Sequence, residues 1–161
     1  MTDWEMIVRD HGPMAYDTAW RILGNASDTQ DAVQEAFVDA VRMERTSRIE
    51  NWGGLLRRLV ARRAIDLLRS RRGGRALSIE PAAPSRMHPE AIAVGQELAE
   101  RLRVALTQLP QRESEVFVLR YFADFSNSEI AAFLKLSAGA VGVALHKART
   151  RLAELLETTE E

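Results

Sequence analysis

Leu55 to Arg75 reads LLRRLVARRAIDLLRSRRGGR, and this segment points both to the class of fold and to where function sits. Leu55, Leu56, Leu59, Val60, Ala64, Leu67 and Leu68 recur at helical spacing, so one side of the rod is apolar. The other side carries eight arginines (57, 58, 62, 63, 69, 71, 72 and 75) against the single carboxylate of Asp66. Arg58, Arg62 and Arg69 fall four and seven residues apart and therefore stack on one side of the helix. Guanidinium forks at that spacing suit a row of phosphates, because each bonds bidentately and stays charged at any cellular pH. The expected partner of this helix is nucleic acid.

The rest of the chain offsets that charge. Lys and Arg total 22 and Asp and Glu total 23, giving a formal net charge of −1. A uniformly basic coat for DNA is excluded, so the positive charge acts locally. Carboxylates gather instead over residues 28–39 and 154–161. With no cysteine, disulfides, thiolate metal sites and cysteine nucleophiles are all excluded. The three histidines, His11, His88 and His146, are too scattered to form a metal-ligand motif. No cofactor, metal site, catalytic residue or small-molecule substrate is expected, and no pair of acid–base residues is set in a catalytic pattern. The opening MTDWEMIVRDHGP is acidic and is not a signal peptide, and no apolar run reaches membrane-spanning length. A cytoplasmic protein without membrane insertion is the expectation.

Few β-branched clusters and no period-two runs occur, so the predicted fold is all-α. A first helical segment starts near Asp3, is expected to break or kink at Gly12-Pro13, and resumes through Trp20 and Leu23. Gly24-Asn25 is a helix stop, and Ser27-x-x-Gln30 is a candidate capping box for the helix that follows. Asn51-Trp52-Gly53-Gly54 interrupts the pattern before the arginine helix, which Gly73-Gly74 closes. Prolines 81, 84 and 89 mark residues 75–89 as a flexible linker between two small helical domains, 1–74 and 90–161. Cores of roughly 70 residues are marginal alone, so mutual docking or a partner would support them.

The second domain holds a helix-turn-helix pattern. Ser126-x-x-Glu129 is a capping box opening SNSEIAAFLKL, and a turn at Lys135-Leu136-Ser137 leads into AGAVGVALHKARTRLAELL. In the last helix Val141, Leu145, Ala148, Leu152 and Leu155 step by four, three, four and three and face inward. Two helices joined this way place the second where it can enter a DNA major groove. Helical hairpins without a DNA role share the pattern.

Taken in order, these motifs resemble bacterial RNA polymerase sigma factors of the extracytoplasmic-function group, within the sigma-70 family. DTQDAVQEAFVDAVR (28–42) is similar to the region-two helix that binds core polymerase, and WGGLLRRLVARRAIDLLRSRR (52–72) to the promoter-melting helix after it. LPQRESEVFVLRYFADFSNSEIAAFLKLSAGAVGVALHKARTRL (109–152) resembles the region-four helix-turn-helix. The resemblance implies that Asp31, Gln34, Glu35 and Asp39 meet a coiled coil of the polymerase β′ subunit. It assigns the −10 promoter element to Trp52, Arg57, Arg58, Arg62, Arg63 and Arg69. Trp52 is open to two readings, a stacking platform for a base or a tryptophan of the domain core. The −35 element falls to Lys135, Ser137, His146, Lys147 and Arg149. The linker would thread toward the polymerase interior. Partners implied are core RNA polymerase (β′ and β), promoter DNA and an anti-sigma factor.

Three departures from the family pattern stand out. The usual Thr-Val-Lys-Ser-Arg of the recognition helix is Ala140, Val141, Gly142, Val143 and Ala144 here. Leu55 replaces a common tryptophan and Arg62 a common asparagine, while Lys135 replaces the turn glycine. The leading reading is a promoter-specificity subunit without enzymatic activity. The alternative is a degenerate sigma-like module that binds polymerase or a regulator without productive promoter recognition. A helix-turn-helix repressor comes third, because it leaves the acidic helix unexplained.

Overall fold

Among the residues that the computed structural model describes, 1–71 and 89–158 (the side chains of 89–94 excepted), there are seven helices and no strand. They are α1 (Trp4–Leu23), α2 (Ala26–Glu44), α3 (Trp52–Ser70), α4 (Pro89–Gln108), α5 (Gln111–Tyr121), α6 (Asn127–Leu134) and α7 (Ala138–Thr158). The all-α expectation holds. Gly73-Gly74 and the linker, apart from Pro89, lie outside the described residues.

Helix starts and stops follow local chemistry, with three departures from the sequence reading. First, α1 runs unbroken through Pro13. A proline costs one helical hydrogen bond and crowds the carbonyl four residues back. Here buried Ile7 on one side of Pro13, and Ala15, Ala19, Ile22 and Leu23 on the other, hold a single rod against the core. Second, α2 is capped by Asn25 rather than by Ser27: the Asp28 N–H donates to Asn25 Oδ1 at 2.9 Å. Gly24 ends α1 in the left-handed region (φ 74°), and Gly24 and Asn25 are the only two residues between the helices. Third, Trp52-Gly53-Gly54 forms the first turn of α3, because the Asn51 side chain accepts from the Gly54 N–H at 2.9 Å.

Helices α1, α2 and α3 form one bundle, with small residues (Ala15, Ala19, Ala32, Ala36, Ala40, Ala61, Ala64) buried where the rods approach. In the second half, α7 packs on α4, α5 and α6. The free side of α3 lies against α5 and α4, so the buried side chains of both halves form one continuous cluster. Arg103 of α4 clasps the end of α1, donating to Ile22 O at 3.1 Å and to Arg21 O at 3.4 Å. A Cβ at Gly24 would fall 2.5 Å from the Arg103 guanidinium carbon and displace the flexible end of that side chain, while the positive φ is what favours glycine at this position.

Candidate nucleic-acid interface

The arginines of α3 (57, 58, 62, 63 and 69) sort into four that hold the fold and one, Arg62, that faces outward. Arg63 is a clamp within the first bundle. It donates to both carboxylate oxygens of Asp39, at 2.6 and 2.7 Å, with Glu35 at 3.5 Å. The Arg63 hydrogen bond holds the Asp39 carboxyl below its usual value against the opposing effect of burial, and the charges of Arg63, Arg42 and Arg62 add to the lowering. A carboxyl depressed in the folded state contributes stability above its unfolded value, near pH 3.8, and loses it as pH falls through the folded value. The α2–α3 contact is therefore expected to weaken only below about pH 4. A denaturation series from pH 6 to pH 2, with Asp39→Asn lacking the acid-side loss assigned to this pair, checks it.

Arg57, Arg58 and Arg69 reach the second half of the chain. The Arg57 guanidinium sits 4.5 Å from the Phe125 ring centre, and that of Arg58 4.8 Å from Phe133. Arg58 also donates to Phe133 O at 3.1 Å. Burial, and next the like charge of Arg62, push Arg58 below the ordinary arginine value, opposed by Glu115. Arg69 donates to Leu109 O at 2.7 Å and Ser114 Oγ at 2.9 Å, at the turn between α4 and α5. Arg62 is exposed. It lines a cavity of about 490 Å3 between the halves, together with Gln111, Arg112, Glu115, Phe133, Leu134 and Lys135.

Trp52 is half-buried, edge-on to Trp4 with ring centres 5.1 Å apart, and packs against the core. On α2, Asp31, Gln34 and Glu35 are exposed side by side, whereas Asp39 is occupied by Arg63. Below them Asp28, with its side chain 3% exposed, lies 2.7 Å from Arg71, a charge contact rather than an aligned hydrogen bond. That contact joins the end of the arginine helix to the start of the acidic one.

In the second half α6 and α7 meet at 106°, within the range of a DNA-binding helix-turn-helix. The capping box forms in both directions: the Glu129 N–H donates to Ser126 Oγ, and the Ser126 N–H to Glu129 Oε1. The Ser126 backbone and side-chain hydrogen bonds lower the Glu129 carboxyl from its usual value. Lys135 takes the left-handed conformation (φ 56°) that a glycine would adopt more readily, and its N–H donates to Ala131 O. Ser137, Lys135, His146, Lys147 and Arg149 are all exposed, and Arg149 donates to the Tyr121 hydroxyl at 2.6 Å. A Cβ added at Gly142 meets nothing within 4 Å. Gly142→Ala is therefore expected to stabilise the protein by about 0.5–1 kcal/mol, read by denaturant unfolding.

The roles of Arg103 and of the Arg112 corner of the cavity, and the pairing of Arg71 with Asp28, escape a reading of sequence. Ile22 O and Asp28 lie tens of residues from Arg103 and Arg71, and such pairings give no local signal. No single described helix is long and apolar enough to cross a membrane.

With this geometry in view, two family matches divide the chain as its helices do. Residues 7–73 match sigma-70 region 2, and residues 99–152 match sigma-70, region 4. The RNA polymerase sigma-E factor of Streptomyces avermitilis is 30% identical over 166 residues, covering 98% of this chain and 87% of that protein. The chain belongs to the sigma-70 family, in its extracytoplasmic-function group. The ECF RNA polymerase sigma factor SigE of Mycolicibacterium smegmatis is 30% identical across 97% of this chain, which spans 62% of that relative's length. Among solved structures, CnrH in complex with the cytosolic domain of CnrY superposes with a TM-score of 0.63 at 25% identity. That match covers 96% of this sigma-family chain and 87% of CnrH.

Proposed function

We propose that this chain is a dissociable promoter-specificity subunit: it binds core RNA polymerase, separates and holds the −10 element, and reads the −35 element. The observation that carries the reading is the placement of α3. Its arginine face, with Arg62 exposed and Arg57, Arg58 and Arg69 held by the second half, lies between an exposed acidic ridge on α2 and a helix-turn-helix. Asp31, Gln34 and Glu35 would meet the β′ subunit, while Asp39 and Arg63 keep α2 and α3 in register. Melting is physical work. An unstacked base costs a few kcal/mol and is captured in a pocket, while cations hold the phosphates of the separated strand. On the duplex, phosphate contacts from Lys135, Lys147 and Arg149 would set position, leaving base edges to the recognition helix.

In the arrangement described here Arg57, Arg58 and Arg69 are engaged by the second half. Promoter contact by these three then requires the halves to separate, exchanging an aromatic ring or a carbonyl for a phosphate. An anti-sigma factor that clamps the halves would hold the arginines in their present contacts.

Binding of the full chain to promoter DNA, with and without core polymerase and across a salt series, tests this. Polymerase-dependent binding is expected, with the logarithmic salt slope falling by about 0.7–0.9 for each phosphate contact removed. Tight duplex binding without polymerase would instead mark a repressor. One observation favours the second reading, a polymerase-binding module without promoter preference: the exposed start of α7 carries no charged side chain. That reading predicts polymerase binding that is indifferent to the promoter sequence.

A further inference from the structure

The first two turns of α7 present an unusual surface for a recognition helix. Val141 and Leu145 point into the core, leaving Ala138, Gly139, Ala140 and Val143 exposed. Val143 is 55% exposed, one of the large aliphatic side chains that the fold leaves uncovered. The one hydroxyl here, on Ser137, accepts the Ala140 N–H at 3.0 Å and is used in capping the helix. Side chains able to hydrogen-bond a base edge, His146 and Lys147, come only a turn later.

We propose that Val143, seated among small residues, reads thymine C5-methyl groups in the upstream promoter element. The inference rests on the promoter-binding function proposed above and gives it a substrate preference. Residues near the start of a recognition helix lie against base edges in the major groove. The thymine C5-methyl, beside the O4 acceptor, is the apolar group displayed there, whereas guanine, cytosine and adenine edges present donors and acceptors without a methyl. A valine placed against those groups strips them of water without replacing their hydrogen bonds, so it disfavours them. Placed against a methyl, it covers apolar surface on both sides. Val143 is β-branched and rotationally stiff in a helix, so little side-chain freedom is lost on contact. Gly139, Ala140 and Gly142 carry at most a methyl and let the helix backbone approach the groove closely. The chemistry thus predicts an upstream element in which one or two adjacent thymines are selected by their methyl groups.

Replacing thymine by deoxyuracil removes that methyl and leaves the hydrogen-bonding edge intact, which supplies the test. Holoenzyme assembled from the full chain and core polymerase is measured on its preferred promoter, with deoxyuracil placed at each upstream thymine in turn. Substitution at one or two adjacent positions is expected to weaken binding about fourfold, the factor that burial of one methyl-sized group carries. In Val143→Ala that sensitivity should shrink at those positions and stay unchanged elsewhere. Val143 is exposed, so the variant keeps the core intact. A promoter preference that tolerates deoxyuracil at every position would overturn the proposal while leaving promoter recognition standing. A deoxyuracil effect of equal size in Val143→Ala would overturn it as well. Absence of any upstream preference would remove promoter reading by α7 and the methyl proposal with it.

Discussion

Reversing Arg58 and Arg62 together to glutamate is expected to abolish promoter opening while leaving affinity for core polymerase nearly unchanged. The two side chains stand one turn apart on α3, and Arg62 faces outward. Two lost phosphate contacts would reduce the salt slope by about 1.4–1.8, and the new carboxylates would add repulsion. Neither residue belongs to the buried core of the first bundle, so α1, α2 and α3 remain assembled. Arg58→Glu also removes the bond to Phe133 O and the contact with its ring. The halves of the double variant should separate more readily, which small-angle scattering would register as a larger radius of gyration. Opening lost from a protein already free to separate its halves would place the defect at DNA. Unimpaired promoter opening would remove the assignment of the arginine face.

Charge reversal on the acidic ridge should give the opposite pattern. Asp31→Lys with Glu35→Lys is expected to weaken core-polymerase binding by about tenfold or more, since like charges facing each other across an interface cost several kcal/mol. Both side chains are exposed; Glu35→Lys removes the 3.5 Å ion pair with Arg63, but Arg63 retains its bidentate bonds to Asp39, so only a small fall in unfolding temperature is expected. Promoter opening would fall only in step with occupancy and recover at saturating protein. Polymerase affinity that survives the reversal would place the docking surface elsewhere.

What could be read from sequence was what local chemistry controls. The Ser126–Glu129 box, the stop at Gly24 and the inward face of Val141, Leu145, Ala148 and Leu152 each depend on residues within a few positions, and each is present in the fold. Errors arose where two local signals competed. Asn25 and Ser27 are both good caps, and the left-handed Gly24 immediately before Asn25 favoured the earlier one. Pro13 and the Gly53-Gly54 pair signal breaks, yet tertiary burial around Pro13 and the Asn51 cap carry the helices through them. The arginine face was legible as a set of charges but not as a set of roles. Arg63 folds back onto α2, whereas Arg57, Arg58 and Arg69 find rings and carbonyls that lie 37 or more residues away along the chain. Such long-range pairings leave no periodicity in the sequence.

The most direct measurement is transcription from a randomised promoter library by core polymerase with and without this chain. Enrichment of two-part promoters, with an upstream and a downstream element at fixed spacing, is the predicted result. Polymerase bound by the chain with no stimulated transcription and no enriched sequence would contradict a promoter-specificity role.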